Sequence, residues 1–133
     1  MTDAEWTDAE WMERFETCTL PDGPFHHADH VKMAFLFFRK YAPADAIARF
    51  SDSIRRLAIA KGLPNLYSET ITWALLLLIR DRMARAPEAQ PWEAFAAANP
   101  DLLNWKEILN RYYRPETLQS DLAKKAFLFP DNF

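Results

Sequence analysis

All three histidines of the chain fall in one short run, Phe25-His26-His27-Ala28-Asp29-His30. His27 and His30 are three residues apart, so on a helix they lie on neighbouring lines of one face. That face continues through Ala34, Phe37 and Tyr41 and points into an apolar interior. Imidazoles in such a setting need partners. Glu69 is the second unusual group. On a helix it heads a stripe through Thr72, Leu76, Ile79 and Met83, and a carboxylate at the inner end of a core stripe must be paired, liganded or protonated. Two imidazoles and one carboxylate form a ligand set for a divalent metal such as zinc or iron. The same three groups, His27, His30 and Glu69, also suit metal-free catalysis, with a histidine base oriented by a carboxylate. A third reading is a buried His–Glu hydrogen-bond network that only fixes helix packing. The spacing lacks the H-E-x-x-H pattern of zinc proteases, and no nucleophile motif is present. Asp29 is expected as an N-cap or as a carboxylate behind the histidines. Tyr67, Thr72 and Trp73 are the candidate substrate-binding residues, with Trp73 as pocket wall one turn beyond Glu69 and Tyr67 offering its hydroxyl.

The elements that must position these groups are helical. The chain has 133 residues and the size of one domain. One valine stands against twenty alanines and fifteen leucines, which disfavours sheet. The expected architecture is all-α, a single-domain orthogonal or up-down bundle of six to seven helices over residues 1–133. The first helix is expected over about Asp8 to Thr17, with Trp11, Met12 and Phe15 inward. The second runs from about His27 to Tyr41, with Val31, Ala34, Phe35 and Phe38 on its apolar face. The third starts at Pro43 and runs to about Lys61, followed by Gly62 in a C-cap position. Asp45–Arg49 and Asp52–Arg56 are i,i+4 pairs on its wet face. The fourth starts near Ser68, a good N-cap, and is apolar nearly all round as far as Ile79, so it is expected to be the central, most buried helix. Helix five covers about residues 91–98, helix six about residues 100–112 with Asn99 as its cap, and a last helix about residues 115–127. With two helices separated by one other, an up-down bundle places the starts of the second and fourth at the same end, bringing His27, His30 and Glu69 together.

The N-terminus repeats itself, Thr2-Asp-Ala-Glu-Trp6 then Thr7-Asp-Ala-Glu-Trp11. Each copy carries the Thr-x-x-Glu capping box, and one suffices to begin a helix. Residues 1–7 are therefore expected to form a frayed arm.

Composition also excludes function classes. Two glycines, Gly23 and Gly62, cannot build a phosphate-cradling loop. Net charge is -3, which gives no basic footprint for nucleic acid. No apolar run approaches the roughly 20 residues that span a bilayer, so no membrane partner is expected. A single cysteine, Cys18, forms no internal disulfide, and with no signal peptide in the acidic N-terminus the expected location is cytoplasmic. The partners left open are a small-molecule ligand and a second copy of the chain.

A set of motifs runs through the chain: Phe25-x-His27-x-x-His30, Tyr67-x-Glu69-Thr70-Ile71-Thr72, Tyr112-Tyr113-x-Pro115-Glu116-x-Leu118-x-Ser120, and Phe129-Pro130-Asp131. Together they resemble a widespread bacterial family of small all-helical proteins, mostly uncharacterised, marked by F/W-x-H-x-x-H, Y-H-E-T-I-T, Y-Y-S-x-E-x-L-x-S and a closing P-D. The resemblance implies a His/Glu site between the second and fourth helices. It departs at Ser68, where the family has histidine, and at Arg114, where it has serine. His26 could replace the missing histidine only if the second helix begins after it. The leading functional expectation is a small-molecule enzyme or ligand-binding protein with a polar His27/His30/Glu69 site, metal-assisted or not. The rival is a non-catalytic interaction module, presenting the C-terminal Phe127–Phe133 segment or the duplicated Trp arm to a partner.

Overall fold

The computed structural model describes residues 6–21 and 27–132. Among them there is no strand. Eight helices follow one another: α1 Asp8–Glu16, α2 His27–Lys40, α3 Pro43–Ala60, α4 Glu69–Arg85, α5 Trp92–Ala98, α6 Trp105–Leu109, α7 Pro115–Gln119 and α8 Asp121–Lys125. Short 3-10 turns occupy Pro64–Leu66 and Pro100–Leu103. The fold is thus the expected all-α bundle. Among the described residues no helix is long and apolar enough to cross a membrane.

Local chemistry sets the helix ends. Thr7 caps α1 in a complete capping box: its side chain accepts from Glu10 N, and the Glu10 carboxylate accepts from Thr7 N. The second Thr-Asp-Ala-Glu copy therefore starts the helix. Thr2 to Glu5 lie outside the described residues. Trp6 does not dangle: its ring meets Trp11 edge-on at 4.8 Å, and the Arg14 guanidinium covers it at 4.0 Å. Gly62 follows α3 at φ +72°, a left-handed conformation suited to a residue without Cβ. Asp45–Arg49 and Asp52–Arg56 both pair at 3.0 Å on the outer face of α3.

Three expectations need correction. The helix expected over residues 100–112 is broken, because Asn104 takes φ -123°, ψ 81°, outside helical space. The last expected helix breaks at Ser120, which turns to ψ 152° and caps α8 by accepting from Ala123 N. The first break leaves a 3-10 turn and the short α6, and the second splits one helix into α7 and α8, so the described residues hold eight helices where six to seven were expected. Asn99 makes no cap. Its amide donates to Phe95 O and its carbonyl accepts from Arg82, which also forms a bidentate pair with Asp101.

α4 packs against α2, α3, α6 and α8. Thr70, Ala74, Leu76 and Ile79 are buried along it. It is not buried all round, since Leu77 is 45% exposed. Phe15, Phe37 and Phe50 interlock where α1, α2 and α3 meet, at ring distances of 5.1 to 5.9 Å.

Candidate functional site

The first turns of α2 and α4 and the last turn of α3 meet around a cavity of about 360 Å³. α2 contributes His27, His30, Val31 and Ala34, and α4 contributes Ser68, Ile71, Thr72, Leu75, Leu76 and Ile79. Ile54, Leu57, Ala58 and Lys61 come from α3, and Trp105 from α6 closes a further side. The starts of α2 and α4 thus lie at one end of the bundle, beside the end of α3. The wall is predominantly apolar, with a few polar groups at the helix starts, as in small-molecule sites generally.

The two histidines differ in their surroundings. His27 Nε2 lies 2.9 Å from Leu102 O. A carbonyl only accepts, so this nitrogen carries the proton, and the neutral ring keeps Nδ1 as an acceptor. Burial lowers the His27 pKa, and the bond to Leu102 partly opposes that shift. His30 is pushed down to about 4, chiefly by burial and further by the neighbouring His27 and Lys61 charges. The rings lie 6.4 Å apart, nearly perpendicular. Both imidazoles are therefore neutral at ordinary pH. His26 lies outside the described residues, and α2 begins immediately after it. Asp29 does not cap α2 but sits exposed within its first turn.

Glu69 is placed differently from the expectation. It stands in the first turn of α4 with its side chain 22% exposed, so it is not in open solvent. Its Oε1 accepts from the Tyr67 hydroxyl at 2.5 Å and faces Arg55 Nη2 at 3.6 Å. Arg55 also covers the Tyr67 ring at 4.9 Å. Burial, then the bond to Glu69, raises the Tyr67 pKa to about 12. Tyr67 lines the cavity and Glu69 does not. The carboxylate is thus satisfied by Arg55 and Tyr67 behind the wall. Among the described residues no three His, Cys, Asp or Glu side chains are grouped to hold a metal ion. His27, His30 and Glu69 accordingly form no zinc or iron ligand set.

Of the three residues expected to bind substrate, Tyr67 and Thr72 line the cavity and Trp73 does not. Trp73 stacks on Phe127 at 6.0 Å with the ring planes 33° apart. The tryptophan in the wall is Trp105, for which sequence gave no signal beyond default burial. Ser68 was also missed as a wall residue. It caps α4 by accepting from Ile71 N, donates to Ala123 O, and still borders the cavity.

The remaining motif residues build a clamp on the C-terminal segment. Thr70 Oγ1 donates to Ala126 O at 2.8 Å and accepts from Leu128 N at 3.1 Å. The Tyr113 hydroxyl donates to Leu128 O at 2.7 Å. Asp131 accepts from Arg114 N at 2.9 Å and from the Thr117 hydroxyl. Comparison with family models, with curated proteins and with solved structures finds no match to this chain.

Proposed function

We propose that the protein binds a small, predominantly apolar molecule in the cavity at the starts of α2 and α4. The cavity itself carries this reading: about 360 Å³ walled largely by aliphatic side chains between the starts of α2 and α4 and the end of α3. A well-packed domain of this size leaves few voids larger than a water molecule. His27 and His30 supply neutral imidazoles for hydrogen bonding or proton transfer to a bound molecule. Tyr67, held by Glu69 and Arg55, and Thr72 contribute polar atoms beside them. Glu69 acts as a positioning residue for Tyr67, neither ligand nor base. The motif resemblance supports the same location, since His27, His30, Tyr67 and Thr72 belong to its marks.

The test is a fluorescence titration with N-phenyl-1-naphthylamine, a neutral apolar probe. Ala58, partly buried in the wall, is replaced by Trp to fill the space. Saturable binding at one site, weakened about tenfold or more in Ala58→Trp at unchanged thermal stability, is the expected result. Absent binding, or equal binding by both proteins, would refute the reading.

A second reading, the non-catalytic interaction module, draws on the surface. Phe129 is 83% exposed on the C-terminal segment, and Leu122 of α8 is also exposed. It requires Phe129→Ser to lower the solution mass measured by light scattering, or the affinity for a partner, while probe binding stays intact.

A further inference from the structure

The polar groups of the cavity wall have spent most of their hydrogens inside the chain. His27 Nε2–H donates to Leu102 O at 2.9 Å, the Tyr67 hydroxyl donates to Glu69 at 2.5 Å, and the Ser68 hydroxyl donates to Ala123 O at 3.3 Å. Each of these groups has one hydrogen to give, so none remains for a bound molecule. His30 and Lys61 also line the space, and each is already engaged.

Three groups of the lining keep capacity among the described residues. His27 Nδ1 can only accept, because Nε2 carries the single proton of the neutral ring. The Thr72 hydroxyl takes either role, and the Trp105 indole N–H only donates. A ketone or an ether serves the last two and leaves His27 Nδ1 unpaired. A hydroxyl gives its hydrogen to Nδ1 and keeps an oxygen that still accepts. A wall that offers an acceptor rejects the analogue without a donor, since its own polar atom then loses water and gains nothing. The interior beyond, with Ile54, Leu75 and Ile79, is hydrocarbon and suits no second polar group.

Resting on the reading that this cavity is a ligand site, we infer that its occupant is a neutral, predominantly apolar alcohol or phenol whose hydroxyl donates to His27 Nδ1. His27 sets the specificity, and Leu102 O fixes its tautomer and ring orientation.

The test displaces N-phenyl-1-naphthylamine with 4-butylphenol and with its methyl ether, 4-butylanisole, at about pH 8, where phenol and imidazole are both neutral. The ether leaves water more readily, so simple partition favours it. Recognition of the hydroxyl reverses that order. The phenol is expected to displace the probe at concentrations several-fold below the ether. His27→Phe keeps a ring and removes Nδ1. It is expected to weaken the phenol about tenfold and to leave the ether within about twofold. In the unaltered protein with ¹⁵N-labelled imidazoles, the phenol is expected to shift His27 Nδ1 and the ether to leave it in place. Displacement by the ether at or below the phenol concentration overturns the inference and leaves the cavity a ligand site. So does a phenol preference that survives His27→Phe. If that variant does not fold, an Nδ1 resonance unmoved by the phenol overturns it instead. Probe binding that neither compound displaces overturns it too. If the probe itself does not bind, the underlying reading fails and this inference falls with it.

Discussion

The first turns of α4 present polar side chains to two neighbours, and the two sides differ in what meets them. On one side Ser68 and Thr70 face the C-terminal segment, where Ala123, Ala126 and Leu128 supply backbone partners. On the other side Tyr67 and Thr72, with His27 and His30 from α2, border the cavity, which Ser68 also touches. Partners within the chain account for members of both sets, since His27 donates to Leu102 O and Tyr67 to Glu69. What distinguishes the second set is that every member also borders an apolar space. Thr70 of the clamp and Tyr67 and Thr72 of the cavity belong to one sequence motif, so motif membership alone does not separate clamp from site.

Mild acidification breaks this comparison most strongly, because His27 and His30 are on the cavity side. His30 has a pKa of about 4 in the fold, against an ordinary value of 6.5. Between those values the unfolded chain binds a proton that the folded chain refuses. Its contribution to stability is therefore complete above the unfolded value and lost as pH falls toward the folded one. The gap corresponds to about 3 kcal/mol. His27, lowered by burial, adds in the same direction. Urea unfolding at about pH 7 and pH 4.5 should show this loss, and His30→Leu should flatten it. An equal loss in the variant would mean that His30 does not carry it.

The clamp responds to a different change. Thr70→Val keeps the shape and removes a hydroxyl with two partners, leaving Ala126 O and Leu128 N unpaired. The expected cost is about 2 kcal/mol by urea unfolding at neutral pH. Probe affinity of the folded protein should stay within about twofold. A large loss of binding would join clamp and cavity into one unit.

Glu69→Gln sharpens the boundary between them. Gln can still accept from Tyr67, and the lost ion pair is half open to solvent on the Arg55 side. Stability should change by less than about 1 kcal/mol, and probe affinity by less than about threefold. Abolished binding would give the carboxylate a direct role that the geometry assigns to Tyr67.

Removal of residues 1–6 should have the smallest effect. The capping box of Thr7 and Glu10 survives. Trp6 is half-buried, and its contacts with Trp11 and Arg14 contribute about 0.5 kcal/mol. Thermal unfolding checks this, and a loss comparable with Thr70→Val would make Trp6 part of the core.

Much of the fold was legible because it rests on local chemistry. Thr7, Pro43, Gly62 and Ser68 mark helix ends by capping and backbone preference, and the structure uses each of them so. The breaks at Asn104 and Ser120 were not legible. Ser120 reads equally well as a helix surface residue, and its role as a cap depends on the chain turning there. At the site, periodicity brought His27 and His30 to one inward face. It could not decide the partner of Glu69, because Arg55 reaches it from α3 across the fold. Nor could it choose between Trp73 and Trp105, since the packing of Phe127 on one and of the cavity on the other is a long-range result.

The most direct measurement follows the indole N–H resonances of Trp105 and Trp73 in ¹⁵N-labelled protein, assigned by Trp→Phe variants, as N-phenyl-1-naphthylamine is added. Trp105 lines the cavity, and Trp73 stacks on Phe127 in the clamp. The account requires Trp105 and the His30 imidazole to shift with a shared saturation curve while Trp73 stays in place. Shifts at Trp73 without shifts at Trp105 would contradict it, as would a probe that moves neither.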